Sequence, residues 1–232
     1  MTTQIQVEDI LVDVHFKRIK RLNLRVQAPH GAVRVSAPAW VGLGAVQKFV
    51  AANLGWIRQQ QQRFANRPLQ APLRYLDGET IYLWGQGYPL RLLKSARGPA
   101  VELRDGQVRL AVRGAASRAR RAAQVAAWYR DQLRAAALPL IAQWEPAIGR
   151  RSSGLAIQQM KTRWGSCNTA TGAIRLNTEL AKRPMHLLEY VVVHELVHLI
   201  EPSHNQVFKA HMTRLMPRWR EYRKELNSGA LG

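Results

Sequence analysis

The sequence predicts an α+β protein, with a β-rich N-terminal part over residues 1–112 packed on a largely helical C-terminal part with a small sheet over 113–232. Three observations predict it. Apolar residues alternate with polar ones in the first half, as on a half-buried strand. They recur at spacings of three and four in much of the second half, as on a helix face. With 232 residues, seven tryptophans and 47% hydrophobic residues, the chain can also bury a sizeable core, which excludes wholesale disorder.

The elements follow in chain order. Leu22, Leu24 and Val26 alternate, a Pro29-His30-Gly31 turn follows, and Val33 and Val35 alternate again, which predicts a hairpin. Val46, Phe49, Val50, Leu54 and Ile57 predict a helix over 45–64. Two more hairpins are expected, one around Gly85-Gln86-Gly87 and one around Asp105-Gly106, a strong two-residue turn signal. The Ala-rich stretch 115–148 predicts one long helix or two, with a break or bend near Pro139. Leu155–Lys161 and Ala173–Asn177 are expected as strands of a short hairpin. Residues 185–200 form a buried helix behind Pro184, and 204–226 another, bent at Pro217.

Charge is lopsided: 35 Lys and Arg against 15 Asp and Glu give +20. That attracts nucleic acid, nucleotides or anionic surfaces. The basic runs Lys17–Arg21 and Arg118–Arg121 would carry it, or would simply be solvated strand and helix faces. A single cysteine, Cys167, allows no intrachain disulfide and suits a reducing compartment. The N-terminus lacks an apolar signal core, and the most apolar stretch, Leu187–Ile200, is too short and polar to span a bilayer. A soluble cytoplasmic protein of unknown oligomeric state is expected.

The chemistry lies in His194-Glu195-Leu196-Val197-His198, an HExxH motif on the buried helix. Residues four apart share a helix face, about 5–6 Å apart, so both imidazoles can address one ion, for which zinc is the natural choice. Glu195 can approach a water on that ion without being a ligand. A catalytic zinc needs a third protein ligand and an open position. His204 is the first candidate, brought back by a turn at Pro202; Glu201 and His211 are its rivals. The spacing matches the metzincin pattern, but Glu201 holds its glycine position, so the turn must differ. The bland alternative is two histidines and a glutamate satisfied by hydrogen bonds in a core.

The surrounding residues resemble a known family. Lys161-Thr162-Arg163-Trp164-Gly165-Ser166-Cys167 is similar to the RWGSC signature of the YgjP-like metallopeptidases. Ile174-Arg175-Leu176-Asn177, Leu180, Pro184, the HExxH helix, His204 and Phe208 follow as in that family. Lys209 departs from it, since the family usually carries an aromatic there. The resemblance implies a zincin-like C-terminal domain in which His194, His198 and His204 hold one zinc and Glu195 is the general base. It implies a peptide or protein substrate; some members are instead labelled as pyrophosphatases acting on UTP.

In the peptidase reading, Ala173–Asn177 is expected as an edge strand beside the substrate, and Tyr190, His211 and Tyr222 are candidate oxyanion donors. In the nucleotide reading, Arg163 or Lys161 would neutralise a polyphosphate. A nucleic-acid-associated protease or binding protein, broadly similar to the SprT-like enzymes, is the third reading. Trp164 and Gly165 are expected to pack a tight turn onto the helix, Cys167 to be small and buried, Asn177 to cap its strand, and Met212 and Met216 to be core.

Overall fold

Alternating β-branched residues near the N-terminus place one hydrophobic face on each strand they occupy. In the computed structural model, which describes residues 2–27, 30–65, 72–95 and 98–228, the chain divides into two compact units, Met1–Pro72 and Leu73–Gly232.

The first unit is a four-stranded sheet with two helices. Strands β1 (Thr2–Val7), β2 (Ile10–Lys17), β3 (Asn23–Gln27) and β4 (Ala32–Pro38) lie in the order β1-β2-β4-β3. The expected hairpin is the antiparallel β3–β4 pair; Pro29 of its turn lies outside the described residues. Two strands precede it, and β2 runs parallel to β4. Ile5, Val7, Val12, Val14, Val33 and Val35 form the inner face, covered by Val46, Val50 and Ile57 of α1 (Leu43–Ala51) and α2 (Leu54–Ala65). The periodicity over 45–64 therefore runs through two helices. Asn53 stands at the junction, its side-chain amide donating to the Phe49 carbonyl, the local competition that makes Asn a poor interior helix residue.

The second unit begins with β5 (Thr80–Leu83), β6 (Gln86–Lys94), β7 (Ala100–Arg104) and β8 (Gln107–Val112), in the order β5-β6-β8-β7. Both expected hairpins form. Their turns are Trp84-Gly85, one residue earlier than expected, and Asp105-Gly106, with all four residues at positive φ. Next comes α3 (Arg118–Ile148), one helix running unbroken through Pro139 and Pro146. Ser117 caps it, accepting from the Arg120 amide, and left-handed Gly149 ends it. Arg118 donates to the Leu73 carbonyl, and Arg121 to the carbonyls of Ala116 and Arg74, so this basic run ties down backbone.

Division after residue 112 was expected; the observed division follows Pro72. The reason is packing. Ile81, Leu83, Leu90, Val108, Leu110 and Val112 share one core with Leu133 of α3 and with the helices that follow. Tyr129 of α3 donates to the Tyr82 carbonyl at 2.6 Å.

The small sheet corrects another expectation. Its strands are β9 (Gly154–Gln158), β10 (Gly165–Asn168) and β11 (Ala173–Asn177), in the order β10-β11-β9. The 155–161 and 173–177 segments do not form a hairpin: β9 and β11 run parallel, and the hairpin is β10–β11. Ala173–Asn177 is therefore the central strand, with Gly165–Asn168 at one edge and Gly154–Gln158 at the other. The sequence GSCN carries no apolar alternation, because β10 pairs through its backbone on one side only.

A 3-10 turn (Thr178–Lys182) leads to α4 (Met185–Val197), α5 (Gln206–Leu215) and α6 (Trp219–Ser228). The HExxH helix ends at Val197 with His198 as its C-terminal cap, three residues short of expectation. The expected 204–226 helix is divided at Met216–Arg218, around Pro217. Met212 and Met216 are core residues. Among the described residues, no helix is long and apolar enough to cross a membrane.

Candidate metal centre

α4 is buried nearly all round: Leu188, Val192, Val193, Leu196 and Val197 are inaccessible to solvent. A helix so enclosed is a rigid support, and it presents His194 and His198 one turn apart. After Val197 the chain turns tightly, with Leu199, Ile200 and Glu201 amides donating to the carbonyls of Leu196, Val197 and Val197. Pro202 and Ser203 complete the reversal, and Asn205 starts α5 by accepting from the Phe208 amide.

The reversal brings His204 back. Its Nε2 lies 2.9 Å from His194 Nε2 and 3.2 Å from His198 Nε2. Among the described residues, these three are the one histidine, cysteine or carboxylate cluster that can hold a metal. Neither rival third ligand belongs to it. Glu201 is otherwise engaged: its carboxylate accepts from the Ser203 amide, and its carbonyl accepts from His198 Nδ1. The ring of Phe208 supports all three imidazoles, with centroid distances of 4.9, 4.7 and 4.8 Å to His194, His198 and His204.

The donors fit a zinc ion. In a tetrahedral site with Zn–N bonds of about 2.0–2.1 Å, ligand nitrogens stand about 3.3 Å apart, close to the separations here. Because a carbonyl accepts, His198 Nδ1 carries the proton, which leaves the lone pair on Nε2, facing the other two rings. Burial, then the neighbouring imidazoles, push the His194 pKa down to about 3, so that ring stays neutral as a ligand must. His204 is lowered too, first by burial.

Glu195 lies in the same cleft and is 5% exposed. Burial pushes its pKa up to about 8; Arg163 and a hydrogen bond from the Cys167 amide oppose the shift. Gly165 makes the carboxylate's position possible. A Cβ there would stand 2.6 Å from Glu195 Oε1 and 2.9 Å from Val191 Cγ1. Gly165 therefore does not form a turn. It is a strand residue whose missing side chain lets β10 approach α4.

Asn177 fixes the loop before β10. Its buried side chain donates to the Met160 and Arg163 carbonyls at 2.8 Å and accepts from the Met160 and Glu179 amides. The expected cap is present, and it also binds the segment carrying Arg163 and Trp164. The Arg183 guanidinium stacks over Trp164, 5.4 Å from its centroid. Cys167 is half-buried, and its thiol is pushed up to about 11, first by burial and then by Glu195, so it stays protonated.

The cleft measures about 490 Å³, and Glu195 is its one carboxylate. Of the candidate oxyanion donors, Tyr190 lines it; His211 and Tyr222 do not. Burial pushes the Tyr190 phenol up to about 12, so it keeps its proton. Sequence reasoning missed Arg223 and Asn227 of α6, which also line the cleft. No local motif marks them, since only the docking of α6 against α4 brings them there.

The sequence profile of a family described as "YgjP-like, metallopeptidase domain" matches residues 20–229. No protein with a curated description matches. Among solved structures, the crystal structure of the metallopeptidase zymogen of Pyrococcus abyssi abylysin is similar over 39% of this chain and 90% of that one, at 19% identity and a TM-score of 0.37. The metallopeptidase zymogen of Methanocaldococcus jannaschii jannalysin is similar over 39% of this chain and 92% of that one, at 21% identity and a TM-score of 0.35.

Proposed function

The chain belongs to the YgjP-like metallopeptidase family, and from that premise we propose that it is a zinc-dependent peptidase in which His194, His198 and His204 hold the ion and Glu195 is the general base. One observation carries the reading: three imidazole nitrogens converge within 4.8 Å of one another in a cleft that also holds a buried carboxylate. When bound there, zinc supplies Lewis acidity toward a peptide carbonyl and toward the attacking water.

The chain's own residues supply the rest. The Glu201 carbonyl orients His198 through Nδ1 and keeps its Nε2 free to bind. Glu195 takes the proton of the attacking water on its carboxylate and hands it to the leaving amine. The Cys167 amide and the absent side chain of Gly165 hold that carboxylate in place. Tyr190, one of three hydroxyl residues lining the cleft with Ser166 and Thr169, is the donor toward the oxygen on which charge develops. β10, the sheet edge lining the cleft, takes the part first expected of Ala173–Asn177: an extended substrate adds to it as a strand. Three imidazoles without a carboxylate suit zinc better than the magnesium of phosphoanhydride chemistry, which disfavours the nucleotide reading.

The test measures zinc per chain and peptide cleavage together. The wild type should hold one zinc, and His204→Ala should lose most of it. Glu195→Gln should keep the zinc and lose at least about 100-fold in turnover. Zinc retained by His204→Ala would remove the third ligand, and unchanged turnover in Glu195→Gln would remove the general base. UTP in the same assay is the control: pyrophosphate release that depends on Glu195 would replace a peptide with a nucleotide as substrate.

A further inference from the structure

Beside the cleft, α5 and α6 enclose a second depression of about 580 Å³, lined by Gln206 and Lys209 of the first helix and Trp219, Arg220, Arg223, Lys224 and Asn227 of the second. Arg223 and Asn227 line both, so the two are neighbours. Four of the seven residues lining the second are cations, and none is an acid. Arg220, Arg223, Lys224 and Asn227 fall at helical spacings of three and four, which puts them on one face of α6.

Like charges so spaced repel, by a few tenths of a kcal/mol per pair. The two acids of α6 are committed elsewhere, Glu221 to Arg218 at 2.8 Å and Glu225 to His186 at 2.8 Å. Among the described residues, no carboxylate forms an ion pair with Lys209, Arg220, Arg223 or Lys224. Arg220 stacks on Trp219 at 4.6 Å, which gives the groove an apolar wall with charge above it. Lys209, the one noted departure from the family pattern, is part of this lining. Arg163, across the cleft, adds a further cation.

We propose that this groove is a substrate subsite for acidic side chains, so that the site takes peptides with Asp or Glu residues on one side of the bond cleaved. The chemistry rests on the peptidase reading; the groove's charge selection does not.

Binding tests it apart from catalysis. The zinc-loaded, full-length Glu195→Gln chain is titrated with a fluorescent Asp-rich peptide and its Asn-containing isostere, and anisotropy is read. The acidic peptide should bind about tenfold tighter, as several exposed charge contacts together provide, and the difference should shrink at high salt. Lys209→Glu/Lys224→Glu should abolish or invert the preference, and Lys224→Ala should reduce it if the double variant does not fold. Equal binding of the two peptides, or a preference that survives charge reversal, overturns the proposal. So does a labelled single-stranded oligonucleotide that binds more tightly and displaces the acidic peptide from the same groove. In the wild type, the ratio of kcat/KM for the two peptides should follow the binding ratio. Groove-dependent binding with no cleavage of either peptide would defeat the peptidase reading and leave the groove standing as an acidic-peptide site.

Discussion

The unit Met1–Pro72 buries Ile5, Val12, Val14, Val33, Val35, Val46, Val50 and Ile57, and among its described residues no polar one. The unit Leu73–Gly232 buries a larger apolar core together with Asn177, Thr178, Glu179, Glu195 and His198. All five lie between the end of β11 and the end of α4. Burying a polar group is costly unless it finds a partner. Asn177 makes four hydrogen bonds, Glu179 takes both of its carboxylate oxygens to Lys182, Glu195 accepts from Cys167, and His198 donates to Glu201. The first unit shows what stability alone asks of this chain. The second shows the added polar burial that a reactive site requires and the bonds that make it tolerable.

Three substitutions would break or sharpen that contrast. The largest effect is expected at Phe208, which is 1% exposed beneath the three imidazoles. Phe208→Ala should cost about 3–5 kcal/mol of stability and lower zinc affinity together, because one cavity undermines both. Calorimetry with and without zinc reads this, and unaltered zinc affinity would show that the ring only fills space. Next comes Gly165→Ala, which should lower kcat about 100-fold by displacing the Glu195 carboxylate, with zinc content unchanged. Normal turnover would mean that β10 yields where α4 does not. The smallest effect is expected in the first unit. Arg58 bridges Glu8 and Asp9 at 2.7 and 2.8 Å but is more than half exposed, and Arg58→Ala should leave both the melting temperature and turnover unchanged. A loss of turnover there would give the first unit a part in catalysis that its purely apolar core does not suggest.

Legibility in the sequence followed the range of each interaction. His194, Glu195 and His198 could be read because helical spacing alone places them. His204 could be read because Pro202 forces a reversal soon after. The hairpins around Trp84-Gly85 and Asp105-Gly106 were legible through turn chemistry. The edge strand was not, since GSCN offers neither alternation nor β-branched residues, and it is a strand only because β11 supplies the partner. The need for glycine at 165 was equally hidden. It arises from a clash with a side chain thirty residues away and not from any unusual φ. The grouping of β5–β8 with the later helices was not legible, because they alternate like β1–β4; only packing against α3 assigns them to the other core. Arg223 stands as one more arginine in a basic helix until α6 docks.

The helix α3 has a consequence for how metal enters and leaves. Its 31 residues extend about 46 Å, at 1.5 Å per residue, and it touches β7, β8, β9, the 3-10 turn and α4. Such a beam fastens both sheets to the histidine-bearing helix. Opening α4 on the side that α3 covers would break these contacts together. An ion held by the three histidines should therefore exchange through the mouth of the cleft and not from the α3 side of α4.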